Sequence, residues 1–424
     1  MKLEDYRPMM ERCSNCLNCK WIPFDKVKNA RFGENCPAVC YYNFNTYSAR
    51  GRFQMAQSIL DGRTEYTPSV TDIIHACTAC GACDVSCKIC RFNLEPLEHN
   101  IALKASAVQQ GRTVEPQKAI MENLREQNTM IRGRKKQNRM DWTKELGLVD
   151  VFQEEADVVI FAGCKYSYDE RLQEYAKAGI RILQKASLTV GTLGAGDNCC
   201  GGRAWQMGFE EEFKAQAERN MNAFRSAGVK QIVTFCADCF HAFKRLYPAQ
   251  GCEVECLHIT ECLERLISEG KIQFTKPIDL KVTYHDPCHL GRQGEPFEPW
   301  NGKEKKIYNQ VQIWEPRRPR YSGIQGVYDA PRNILQAIPG VQLVEMDRIR
   351  EYSWCCGAGG GCNETQKDFS DWTAAERMTE AVSTGADALV TACPWCNDNL
   401  TGKQAEDGTV MRVYDLLELI ALAM

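Results

Sequence analysis

The 424-residue chain is predicted to be a mixed α+β and α/β protein: a cysteine-rich helical N-terminal module followed by two duplicated α/β lobes. Three observations lead there. Of 24 cysteines, ten precede residue 91, none lies between Cys90 and Cys164, and fourteen lie from Cys164 onward. From residue 156 short β-branched runs alternate with amphipathic stretches, the pattern of a largely parallel sheet. That alternation then recurs with its cysteines in the same places.

Composition narrows the function classes. Apolar residues make up 44% and charged residues 25%, as in ordinary soluble globular proteins, which excludes a disordered chain. Cysteine, about one residue in eighteen, is too sparse and the chain too long for a disulfide scaffold. The start MKLEDYRPMMERC lacks the apolar stretch of a secretory signal, and no apolar run approaches a membrane span. The expected compartment is therefore cytoplasmic and reducing, where clustered cysteines serve as metal ligands or redox groups. A net charge of −3 and a pI near 6.2 argue against a nucleic-acid partner.

The first module, residues 1–105, holds Cys77, Cys80, Cys83 and Cys87 at C-x2-C-x2-C-x3-C spacing. That spacing converges three thiolates on one [4Fe–4S] cubane and lends the fourth to a neighbouring cluster. Ala79, Gly81 and Ala82 are small enough for the backbone to turn round the sulfurs. Zinc sites use well-separated C-x2-C pairs instead. Cys13, Cys16 and Cys19 supply a second triple, and the expected Cys-Pro is displaced to Cys36–Pro37. One cubane is assigned Cys13, Cys16, Cys19 and Cys87. The other takes Cys77, Cys80, Cys83 and Cys36, with Cys40 or Cys90 as alternates; Lys88 stands where a proline usually follows Cys87. In SARGRFQMAQSIL, Arg50 and Arg52 are read as the solvated basic edge of a core-packed helix. Residues 106–153 read as a helical connector whose run Arg132, Arg134, Lys135, Lys136 and Arg139 forms a solvated face.

The lobes are placed at 154–275 and 276–424. In the first, Cys164 is followed after 34 residues by Cys199-Cys200-Gly201 and later by Cys236-x2-Cys239. In the second, Cys288 is followed after 66 residues by Cys355-Cys356-Gly357 and later by Cys393-x2-Cys396. Each set falls at predicted strand C-termini, where open α/β sheets hold ligands. An adjacent pair aims two sulfurs into one small volume, and the glycine frees the backbone to turn. Five thiolates per lobe exceed what one zinc or one cubane needs. The longer interval contains an insertion, about 295–330, rich in Pro, Arg and aromatics. It reads as a long surface loop and a docking surface for a partner.

On these motifs the chain resembles the CCG-domain iron–sulfur proteins. It is most similar to the heterodisulfide reductase D-type subunit, in which a two-cluster ferredoxin-like module is fused to two CCG lobes. Relatives include iron–sulfur subunits of glycolate oxidase, glycerol-3-phosphate dehydrogenase, sulfate-reducer membrane complexes and class II benzoyl-CoA reductase complexes. The resemblance implies two cubane and two noncubane [4Fe–4S] clusters. Cys164, Cys199, Cys200, Cys236 and Cys239 would hold one noncubane cluster; Cys288, Cys355, Cys356, Cys393 and Cys396 would hold the other. It further implies an oxidoreductase subunit that reduces a disulfide to two thiols between the paired clusters. A partner subunit, flavin-containing or membrane-bound, would supply the electrons. The stretched first motif and the insertion depart from the simplest family pattern and leave substrate and partner open. So does an alternative role as electron relay and scaffold without its own substrate; a zinc-binding interaction protein is the rival from another class.

His285 and His289 flank Cys288 and are candidate proton donors, since disulfide reduction consumes two protons. The competing reading has His285 and Asp286 capping a strand-to-helix loop; His241, after CADCF, stands likewise. The glycines at 191–196 and 357–361 match no nucleotide fingerprint. Cys252, Cys256, Cys262 and Cys362 lie outside both patterns and are expected to be buried small side chains.

Overall fold

The computed structural model describes residues 1–90, 94–308 and 311–424. The N-terminal module is helical, with helices over Arg7–Arg12, Pro37–Tyr42, Ala49–Leu60, Pro68–His75, Ala82–Cys90 and Pro96–Gln109. Thr67 and Ser48 cap two of them by accepting hydrogen bonds from the N–H groups of Val70 and Gly51. Phe53, Ala56, Ile74, Leu94, Ala102 and Leu103 form their shared core.

Among the described residues eleven strands follow: β1 Val149–Asp150, β2 Val158–Phe161, β3 Val190–Thr192, β4 Gln231–Thr234, β5 Glu255–His258, β6 Leu280–His285, β7 Lys303–Ile307, β8 Val311–Glu315, β9 Val341–Leu343, β10 Ala388–Thr391 and β11 Arg412–Asp415. Lobe 1 is a parallel sheet in the order β1-β3-β2-β4-β5, and lobe 2 a parallel sheet in the order β11-β10-β6-β9. Matched strand for strand, β3-β2-β4-β5 repeats as β9-β6-β10-β11. The predicted duplication is therefore a duplication of topology, with β1 an additional edge strand in the first copy.

The lobes are tied by exchanged helices. The helix Glu170–Lys185 is started by Asp169, which accepts from Leu172 N–H at 3.2 Å, and it buries Leu172, Ala176, Gly179, Ile180 and Leu183 on one face. On this face lies the closing helix of lobe 2, Leu416–Ala423. A Cβ at Gly179 would stand 3.1 Å from Leu417 Cδ1, so the glycine sets the approach. Reciprocally, the closing helix of lobe 1, Ile259–Ser268, packs on Asp329–Ala337 of lobe 2. This crossed packing turns the strand C-termini of both sheets toward one another.

Three details depart from the sequence reading. The stretch read as a helical connector forms one long helix, Glu115–Gln127, then turns, and its Ile120, Met121, Leu124, Met130, Trp142 and Leu146 enter the lobe 1 core. Arg139, read as solvated, is buried there. The insertion read as a loop contains an antiparallel hairpin, β7 with β8, in which Lys305 faces Ile313. Among the described residues no helix is long and apolar enough to cross a membrane.

Candidate metal centre

Strand ends and backbone turns place the lobe cysteines. Cys164 opens a short helix just after β2, entered through Gly163 at φ 86°. A Cβ there would come within 2.9 Å of Cys239 Sγ, so only glycine lets the β2 loop approach the β4 loop. Gly201 and Gly357, at φ 73° and 92°, make the anticipated turns after the cysteine pairs. Their N–H groups point at Cys199 Sγ (3.4 Å) and Cys355 Sγ (3.3 Å). Cys236 and Cys393 take the N-cap positions of the helices after β4 and β10.

All ten lobe cysteines are buried, 1–8% exposed. In lobe 1 their thiols are linked from Cys164 to Cys199 to Cys200, with Cys239 also on Cys200. Lobe 2 repeats this from Cys288 to Cys355 to Cys356, with Cys396 on Cys356 at 3.2 Å. The second cysteine of each pair is the acidic thiol. Hydrogen bonds from Cys199 and Cys239 hold Cys200 down to about 5, and Cys355 and Cys396 do the same for Cys356, also about 5. Cys236 meets Cys393, joining the two sets, and Cys80 of the N-terminal module meets Cys355. Cys80, Cys288 and Cys355 pack in one cluster with Ala82.

In the N-terminal module, burial pushes Cys36 up to about 12, with charges at Cys80 and Cys77 adding to it. Burial likewise raises Cys87, with Cys19 and Cys13 among its neighbours, and raises Cys83 beside Cys77, Cys80 and Cys36. Cys19 lies between the two groups, with Cys36, Cys13 and Cys16 all acting on it. The Cys40 thiol donates instead to Glu34 Oε2 at 2.9 Å. The side chain of Cys90 lies outside the described residues. Cys16 is exposed, and Cys13 is partly so.

Buried thiols with peptide N–H donors and nearby cations suit an anionic iron–sulfur cluster, whose charge such groups offset. Sequence reasoning missed those cations. Arg139 is 1% exposed and donates to Asp197 Oδ1, to Asn198 O (2.8 Å) and to Cys164 Sγ (3.1 Å). Arg292 donates to Cys80 O (2.6 Å) and to the carbonyls of Glu351 (2.8 Å) and Ser353 (2.7 Å), holding the two cysteine loops together. Lys104, fully buried, donates to Cys77 O at 2.8 Å, and burial lowers its pKa. Arg52, expected at a solvated edge, is 2% exposed and donates to the carbonyls of Tyr47, Ile73 and Ala76, just before Cys77. The residue in place of proline, Lys88, is buried in an ion pair with Glu95 at 2.6 Å. Arg52 and Arg139 depart from the solvated reading because carbonyls, a carboxylate and a thiol distant in sequence satisfy their charge.

The histidines divide. His285 Nδ1 accepts from Arg377 Nε at 3.0 Å, which leaves the ring proton on Nε2, and a ring nitrogen lies within 4.8 Å of the sulfurs of Cys356 and Cys396. Burial and the Arg377 cation push its pKa down to about 3. His289 Nδ1 lies 2.9 Å from Asp238 Oδ1 and 3.4 Å from Cys288 Sγ. The His241 ring packs 5.1 Å from His289, and its Nδ1 is 2.7 Å from Gln293 O. Asp286 does not cap its loop by itself; it is paired with Arg332 at 2.7 Å and accepts from Arg350 N–H at 2.8 Å. Of the surplus cysteines, Cys256, Cys262 and Cys362 are buried as expected, whereas Cys252 is half-buried.

A buried carboxyl beside this centre yields a pH prediction. Asp415 accepts from Tyr166 Oη and from Leu417 N–H, each at 2.9 Å, and burial raises its pKa to about 7. The folded chain thus holds the Asp415 proton more tightly than the unfolded chain does. Its stabilising contribution is complete in acid and is lost as pH rises from about 4 through about 7. Asp415→Asn keeps the acceptor for Leu417 and cannot ionise. It is expected to stabilise the protein by about 1–3 kcal/mol at pH 8, with the gain shrinking toward pH 4. Denaturation curves at both pH values check this.

Comparison with known proteins accords with this site. A cysteine-rich domain model, CCG, matches residues 158–244 and 318–401. The D-type subunit of dihydromethanophenazine:CoB–CoM heterodisulfide reductase from Methanosarcina mazei is 31% identical over 98% of this chain and 94% of its own length; that from Methanosarcina barkeri is 30% identical over the same shares. An EtfAB:quinone oxidoreductase from Syntrophomonas wolfei is 30% identical over 87% of this chain, which spans 48% of that longer protein. Among solved structures, a hypothetical protein from Helicobacter pylori matches with a TM-score of 0.51 at 9% identity, over all of this chain and 76% of the other, a likeness of fold. With a nearly full-length match at this identity and two CCG matches, the first holding all five cysteines of its set and the second Cys355, Cys356, Cys393 and Cys396 but not Cys288, the chain belongs to the CCG-domain iron–sulfur proteins, the family of the heterodisulfide reductase D-type subunits and related oxidoreductases.

Proposed function

We propose that the chain is the subunit of a redox complex that carries electrons inward from the N-terminal module and reduces a disulfide at the two CCG sets. The carrying observation is the continuity of thiols. They run from exposed Cys16, through the two N-terminal quartets, across Cys80 to Cys355, and across Cys236 to Cys393. The quartets Cys13, Cys16, Cys19, Cys87 and Cys77, Cys80, Cys83, Cys36 would hold cubane [4Fe–4S] clusters, and the two five-cysteine sets noncubane ones. When bound, these clusters supply one-electron storage and transfer. Reduction of a disulfide takes two electrons and two protons and yields two thiols. His289, with its Nδ1 proton held between Asp238 and Cys288, is placed to provide one of the protons; His285, a neutral ring whose Nδ1 is taken by Arg377, is a neighbour of Cys356 and Cys396 that orients rather than protonates. Arg139, Arg292 and Lys104 lay positive charge along the path.

A second reading, an electron relay with no substrate of its own, is favoured by one observation: none of the ten lobe cysteines is more than 8% exposed. Anaerobic purification with iron and sulfide analysis tests the cluster assignment, and about sixteen irons per chain are expected. About eight would mean that one module is empty. EPR during titration with thiols then separates the readings: a new signal on thiol addition supports substrate chemistry, and its absence supports the relay.

A further inference from the structure

Among the described residues nine lysines and arginines are buried, and six of them meet a carboxylate, as Lys88 meets Glu95 and Arg139 meets Asp197. The other three, Arg52, Lys104 and Arg292, are 2%, 0% and 5% exposed. Main-chain carbonyls hold them, those of Ala76, Cys77 and Cys80 respectively among them, at 2.6, 2.8 and 2.6 Å. Carbonyls satisfy the N–H groups and leave the charge without a counter-charge, which is costly in a buried place.

All three exceptions surround one quartet of thiols. Burial raises the Cys36 thiol and the Arg52 charge opposes it. The Cys355 contact and burial raise Cys80, and the Arg292 charge opposes them. Burial lowers Lys104, and the Cys77 thiol is the first group to oppose that. The missing counter-charge is therefore an anion held by Cys36, Cys77, Cys80 and Cys83. The other quartet has no such surroundings: Lys88, next to its Cys87, is paired with Glu95 at 2.6 Å, and Cys16 is exposed. Asp84 acts on both Cys83 and Cys87 and so does not separate the two.

An electron added to a thiolate-bound cluster makes it more negative, so fixed positive charge beside it favours the reduced form. Water at the Cys16 edge favours that form too. It also screens, whereas charges in the interior act several times more strongly.

We propose that Arg52, Lys104 and Arg292 make the Cys77 quartet the high-potential site of the N-terminal module, so that an electron entering near Cys16 settles one step inward, beside Cys355 of lobe 2. The three act through the cysteines as positioning charges. The inference rests on the cluster assignment proposed above.

An EPR-monitored redox titration of the anaerobic full-length protein, run after iron analysis, tests it. Cys16→Ala, at an exposed position, alters the signal of the Cys13 quartet and so tells the two apart. In the unaltered chain the Cys77 quartet is expected to be reduced first, its reduced-to-oxidised ratio at least tenfold above that of the Cys13 quartet at any one potential, about 59 mV for one electron. Arg292→Gln and Lys104→Gln should each lower that ratio at least tenfold at the Cys77 quartet and leave the Cys13 quartet unmoved. Arg292→Lys, which keeps the charge, should restore it. Simultaneous reduction of the quartets, reduction of the Cys13 quartet first, or an equal shift of both in the variants would each overturn the proposal. The order in the unaltered chain decides the matter even if the variants fail to fold. An N-terminal module without iron would overturn the cluster assignment and this inference together, whereas full iron content with the wrong order would overturn the charge argument alone.

Discussion

Arg203→Ala is expected to cost about 3–5 kcal/mol and to loosen the lobes from each other. Arg203 lies in the helix Gly202–Gln206 just after the lobe 1 cysteine pair and is 2% exposed. Its guanidinium reaches across to lobe 2, where it donates to Ala358 O at 3.0 Å, to Asn363 Oδ1 at 2.8 Å and to Glu364 at 2.7 Å, and it stacks 3.9 Å from the Trp395 ring. Truncation strands the Ala358 carbonyl two residues beyond Cys356 and leaves Glu364 without its cation. Glu364→Gln should cost less, about 1–2 kcal/mol, because that carboxylate side chain is 21% exposed and water replaces part of the pairing. Denaturation followed by tryptophan fluorescence gives the order. Equal costs for the two variants would mean that the ion pair alone, and not the inter-lobe clamp, carries the stability.

Arg203 also shows where sequence reading stops. The cysteine sets were legible because their chemistry is local: spacing and a following glycine mark Cys199 and Cys200, or Cys355 and Cys356, as a turn in the loop that follows a strand, without any knowledge of the rest. The duplicated sheet was legible for the same reason, since β2 to β5 and β6 to β11 repeat one hydrophobic pattern. Arg52, Arg139, Arg203 and Arg292 were not, because an arginine's burial is decided by carbonyls and carboxylates far away in sequence: Ala76, Asp197, Ala358 and Cys80 respectively. Residue type alone argues that such a cation is solvated. The hairpin of β7 and β8 was hidden by a polar, basic composition that reads as loop. The contacts between sets, Cys80 with Cys355 and Cys236 with Cys393, arise from the crossed helix packing, which no spacing encodes.

Those contacts carry the second large effect. Cys355 is the thiol on which the N-terminal module and lobe 2 converge: it meets Cys80 on one side, and Cys288 and Cys356 on the other. The equivalent cysteine of lobe 1, Cys199, meets Cys164 and Cys200, and lobe 1 joins the rest through Cys236 and Cys393. If electrons enter at the exposed end near Cys16, lobe 2 lies between the entry and lobe 1. Cys355→Ala and Cys199→Ala should then be matched in composition, each falling from about sixteen to about twelve irons per chain. They should differ in kinetics. In Cys199→Ala the lobe 2 signal should develop at the unaltered rate when a partner-side reductant is mixed with the protein. In Cys355→Ala the lobe 1 signal should develop at least a hundredfold more slowly, because its only chain of thiols to the N-terminal module, among the described residues, has lost its middle. Freeze-quench EPR on the two variants reads both rates, and equal rates would show that lobe 1 receives electrons by a route that avoids lobe 2.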